Sequence, residues 1–136
     1  MSLINILNIA ASGLEAQSKK LNVSASNLAN SESMIYKHGK FVPYTAKQIV
    51  FKYAKHDKSK IGGINSYEIN DIKTPFKKIY DPSHPLSNTQ GYVRMPNVDV
   101  INETINGLIA ARSYQANIEV INTVKNLITK TLTIGQ

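Results

Sequence analysis

A chain of 136 residues is most simply one domain; having no cysteine, it can hold neither a disulfide framework nor a thiolate metal site, and with no Trp and only three Phe it has few large core anchors. The net charge of +7 lies entirely between Lys37 and Lys78, where ten lysines stand against Asp57, Glu68 and Asp71, while the segments on either side sum to zero. Only two of the sixteen basic residues are arginines, Arg94 and Arg112, so a solvated lysine-rich face is a simpler reading than a forked phosphate-binding site.

In chain order, the first element is a helix from Leu3 to Ala29. Leu7, Leu14, Leu21 and Leu28 recur every seven residues, with Ile4, Ala11, Ser18 and Ala25 three positions before each. A heptad of this kind places one apolar seam along a helix, and another helix normally covers it. The opposite face carries Asn22, Ser24, Ser26 and Asn27, polar but uncharged. Such a face is either exposed to water or set against a neighbour without the desolvation cost of charges. The helical pattern breaks at Ser31-Glu32-Ser33, and residues 42–53 alternate as a strand. A lysine-rich loop over 54–63 ends at the turn signal Gly62-Gly63. Short extended segments follow at Tyr67–Ile72, Phe76–Tyr80 and Gly91–Met95, with a rigid connection at Asp81-Pro82-Ser83-His84-Pro85.

The last element is a helix of roughly 37 residues, about 55 Å long, with Asn97 as its expected N-cap, Asp99 and Glu103 favoured by the positive helix end, and Gly135 as its stop. Its apolar stripe runs through Ala111, Tyr114, Ile118, Ile121, Ile128 and Leu132. The expected fold class is α+β: long N- and C-terminal helices packing as a coiled coil or bundle around a small β-rich middle. The corresponding divisions are an N-terminal assembly helix over 1–30, a β-rich segment with its proline connector over 31–94, and a C-terminal assembly helix over 95–136.

Catalytic chemistry finds no foothold. His38, His56 and His84 fall at unrelated spacings with no repeated carboxylate partner, Ser83 lacks the glycines of a nucleophile elbow, and Gly62-Gly63 lacks the spacing and lysine of a phosphate loop. The expectation is a non-enzyme with no cofactor, no metal and no small-molecule substrate. Its rival is a small basic nucleic-acid-binding module using the lysine-rich middle; the aromatics that interleave with lysines between Phe41 and Tyr53 suit a half-buried strand equally well. The N-terminus lacks the features of a cleaved secretory signal, and no apolar run approaches a membrane span.

Three stretches carry a family resemblance. Ala11-Ser12-Gly13-Leu14 with Leu21-Asn22-Val23-Ser24-Ala25-Ser26-Asn27-Leu28-Ala29-Asn30 is similar to the N-terminal signature of bacterial flagellar rod and hook proteins. Tyr80–Leu86 followed by Gln90–Asp99, and Ala111-Arg112-Ser113-Tyr114-Gln115-Ala116-Asn117, resemble the same family. The resemblance implies a structural subunit of the flagellar basal-body rod, in the periplasm, exported through the flagellar type III apparatus without a cleaved signal. It also implies terminal helices that order on assembly with copies of the chain and with other axial proteins. Together with the seams it nominates a subunit interface: Leu7, Leu14, Leu21, Asn22, Ser26, Asn27, Leu28 and Asn30 at the front, and Ala111, Tyr114, Gln115, Asn117, Ile118, Ile121, Ile128 and Leu132 at the back.

Overall fold

A computed structural model describes residues 2–53 and 62–135. Most of the expected lysine-rich loop therefore lies outside the described residues. The order of elements is α1 (Leu3–Ala29), β1 (Met34–Lys37), β2 (Lys40–Pro43), β3 (Lys47–Tyr53), β4 (Ile64–Asp71), β5 (Lys77–Tyr80), β6 (Tyr92–Met95) and α2 (Val100–Ile134). The strands form three separate antiparallel pairs, β1–β2, β3–β4 and β5–β6, and the fold is α+β.

Ser2 caps α1 by accepting from the Asn5 N–H, and α1 runs without interruption to Asn30, whose side chain donates back to the Ser26 carbonyl at 2.8 Å. A hairpin, β1–β2, then stands where only a pattern break was expected. Its two-residue turn uses His38 at φ 50° and Gly39 at φ 79°, the pair of positive values that matches strand twist in tight hairpins. The strand expected from residue 42 accordingly begins only at Lys47.

The N-cap of α2 is Asp99, not Asn97. Asp99 Oδ1 accepts from the Ile101 and Asn102 N–H groups, and its charge is favourable at this helix end. Asn97 serves the tertiary structure instead. Its Oδ1 accepts from the Ala46 N–H at 2.7 Å, and its Nδ2 donates to the Ile72 and Thr74 carbonyls. One side chain thereby fastens the residues before β3, after β4 and before α2. Tyr44, Ala46 and Val98 form a small buried core at that point, with Ile72 packed against it.

The two helices lie antiparallel. Asn27 near the end of α1 bonds Glu103 in the first turn of α2, and Gly13 meets Asn117 further along. Extending that register sets Leu3 opposite Leu127, so about two turns of α2 run past the start of α1. The β3–β4 pair flanks α1 elsewhere. Ser12 Oγ accepts from the Ile64 N–H at 3.2 Å, and Lys19 Nζ sits 5.5 Å from the Tyr67 ring centre. Gly63, at φ 102°, allows the close approach, because a Cβ there would stand 2.8 Å from Ser12 Oγ.

Candidate functional site

The helix pair closes on small residues. On α1, Ala10, Ser24 and Asn27 are buried, and Gly13 lies against Asn117, where an added Cβ would stand 3.0 Å from the amide nitrogen. With the buried Gln17 carboxamide oxygen, these positions follow one another at steps of three, four, seven and three residues, one residue ahead of the leucine heptad. On α2 the matching line is Glu103, Ala110, Asn117 and Val124, every seventh residue. Small side chains win the contact because they let the backbones approach closely. The large aliphatics then stand on its flanks.

The nominated residues are placed accordingly. Leu7, Leu14 and Leu28 are half-buried, while Leu21 is 41% exposed with its Cδ1 near Gly107. Ala111, Asn117, Ile121 and Ile128 are half-buried on α2; Tyr114, Gln115, Ile118 and Leu132 are exposed. Asn22 and Ser26 are exposed and Asn30 is half-buried. Asn27 is placed differently from its neighbours: it is fully buried inside the chain and all four of its hydrogen-bonding positions are used there. Its Nδ2 donates to the Lys47 carbonyl at 2.7 Å and to Glu103 Oε1 at 2.9 Å. Its Oδ1 accepts from the Lys47 N–H at 2.9 Å and the Tyr44 hydroxyl at 3.1 Å. Four segments meet on this one amide, so it fixes how the β segments sit on the helix pair.

Glu103 was readable only as a dipole-favoured residue; its buried carboxylate is in fact part of this junction. The signal that marks it is its place at the head of the seven-residue line through Ala110, Asn117 and Val124, which a search for large apolar residues passes over.

The other face of α2 is open. Ile101 is 72% exposed, Leu108 56%, Leu132 67% and Ile134 85%, with Ile105, Ile109, Val120 and Leu127 about half exposed between them. The chain's accessible surface is 10113 Å², against roughly 7,000 Å² for a compact monomer of 15.0 kDa. That total is polar and apolar together; its apolar part includes the contiguous aliphatics of α2, the kind of patch that a neighbour covers. Arg112, Glu119 and Lys130 are exposed charges that stand among these aliphatics. The one ion pair among the described residues is Lys52–Glu68 at 2.7 Å, on the β3–β4 pair, where the ammonium's hydrogen bond and charge hold the Glu68 carboxyl below its usual range. Among the described residues no helix is long and apolar enough to cross a membrane.

Comparison with known proteins covers both ends and the whole. Residues 7–32 match the family described as flagella basal body rod protein, and residues 89–134 match the flagellar basal body rod FlgEFG protein C-terminal family. Over all 136 residues of both chains, the sequence is 57% identical to the flagellar basal-body rod protein FlgC of Buchnera aphidicola from Acyrthosiphon pisum. It is 56% identical to that of the Schizaphis graminum symbiont and 51% to that of Salmonella typhimurium, again at full length. None of these similarities supports the nucleic-acid-binding alternative.

Proposed function

The chain belongs to the FlgC family of flagellar basal-body rod proteins, and from that premise we propose that it joins the rod through the outer face of α2 together with the exposed polar and leucine positions of α1. It is a structural subunit of the basal-body rod. The observation that carries the proposed mode of assembly is the open apolar face of α2, which runs from Ile101 to Ile134 while the inner face is already closed by α1.

Fully burying one such aliphatic side chain is worth about 1.5–3 kcal/mol, so a few of them per subunit offset the entropy of ordering the helix ends. In this reading 1–30 and 95–136 are the assembly elements and 31–94 is a module carried on them. Rigid, closely packed helices then transmit torque without any chemical step. The neutral helical ends suit that arrangement, since like charges need not be forced together between stacked copies. Transit through the flagellar type III apparatus, residence of the rod in the periplasm, and the absence of enzymatic activity, nucleic-acid binding and small-molecule substrates are parts of the same reading, supported by the family resemblance.

The test is complementation of a strain lacking its own copy of this rod subunit. The double variant Ile105→Asp, Leu108→Asp is expected to stay folded with only a small drop in thermal midpoint, because Leu108 and Ile105 are each about half exposed, yet to yield no rods. Normal rod formation by that variant would remove the α2 face from the interface.

A further inference from the structure

We propose that the groove between the β1–β2 and β5–β6 hairpins receives an acidic segment of a partner protein that also carries an aromatic or aliphatic side chain. This surface is separate from the helical face assigned to rod assembly and stands without it. The groove encloses about 780 Å³, and its walls include Phe41, Leu86 and Tyr92, all exposed. Lys40, Lys78 and Arg94 also line it, and among the described residues no carboxylate does.

The register of the two hairpins sharpens the point. Lys37 stands directly opposite Lys40, and Lys78 directly opposite Arg94. Like charges at facing positions destabilise an antiparallel pair, whereas a carboxylate between them turns repulsion into attraction. One whole pair, Lys78 with Arg94, and one member of the other, Lys40, line the same groove.

Recognition here rests on side chains rather than on strand addition. The Tyr44 N–H donates to the Ser33 carbonyl, so by alternation Lys40 and Val42 pair toward β1 while Phe41 and Pro43 face the open edge of β2. Pro43 has no N–H to offer, and a single Phe41 amide cannot template a ladder. The mainly apolar walls favour a protein segment over a nucleic-acid backbone, whose binding relies on an exposed cationic stripe.

The experiment is selection of a random peptide library on the full chain, followed by binding of the enriched synthetic peptide. Enriched sequences are expected to place Asp or Glu beside an aromatic or aliphatic residue. Arg94→Glu and Phe41→Ala are each expected to weaken that peptide by at least about tenfold, the scale of one lost interfacial contact. Arg94→Glu puts an opposite-charge pair at Lys78, so its thermal midpoint should not fall, and lost binding there cannot come from unfolding. Four results would overturn the proposal: no enrichment, a consensus without acidic residues, binding by both variants as tight as by the parent chain, or tighter binding of duplex DNA or phosphatidylglycerol vesicles in competition for the same groove.

Discussion

The two ends of the helix pair are held in different ways. Where the helices meet the β segments, Asn27 and Asn97 spend their whole side chains on partners from several segments, and Tyr44, Ala46 and Val98 close the gap between them. Toward the start of α1, the pairing rests on close backbone approach at Gly13 and Asn117 and on small buried residues such as Ala10 and Val124. Beyond it α2 continues alone, with Leu132 and Ile134 largely exposed. Hydrogen bonds are directional and penalise any rearrangement that leaves a buried group unpaired, so the first end sets geometry. Contacts between small side chains are weaker and slide more easily, so the second end is free to be completed by a neighbour.

The largest effect that separates the two ends is expected from Asn27→Ala. It leaves the Lys47 amide, the Tyr44 hydroxyl and the Glu103 carboxylate buried without their shared partner, and urea denaturation should show a loss of about 3–5 kcal/mol. A loss below about 1 kcal/mol would mean that water takes over the amide's role and that the junction is not polar in origin. Gly13→Leu acts at the other end. Its side chain has no room against Asn117, so overpacking should cost about 1–3 kcal/mol in the same measurement, while the junction, read by the NMR signals of the Asn27 side-chain amide, stays native.

The smallest effect belongs to Glu68. Its carboxyl is held low by Lys52, so whatever the pair contributes is complete above the ordinary glutamate range and disappears as pH falls through the lowered value. Both groups are exposed, so Glu68→Gln should differ only slightly from the parent at neutral pH and not at all in strong acid. A large difference would show that the β3–β4 pair depends on that ion pair and not on its backing by α1.

The pattern of α1 and α2 was legible because heptads and end signals survive in any context: α1 spans Leu3–Ala29 as read, and α2 ends at Ile134 before Gly135. The seam itself was not, since leucines dominate a hydrophobic pattern whereas the actual contact runs through Ala10, Gly13, Ser24 and Asn27, one residue away. The β1–β2 hairpin was hidden for a similar reason. His38 in the left-handed region is an uncommon turn residue, and Lys37 and Lys40 on either side of the turn interrupt the apolar residues of both strands. Asn27 read as one more polar residue on an uncharged face; its role depends on Tyr44, Lys47 and Glu103, which only the tertiary structure brings to it.

The contrast between the two ends is tested most directly by amide hydrogen exchange on the isolated chain and on assembled rods. Amides around Asn27 and Glu103 should be protected in both states, whereas those from Ile128 to Ile134, past the start of α1, should exchange readily in the isolated chain and become strongly protected in the rod. Equal protection of Ile128–Ile134 in the two states would contradict the account, because it would mean that assembly covers nothing on the part of α2 that α1 leaves alone.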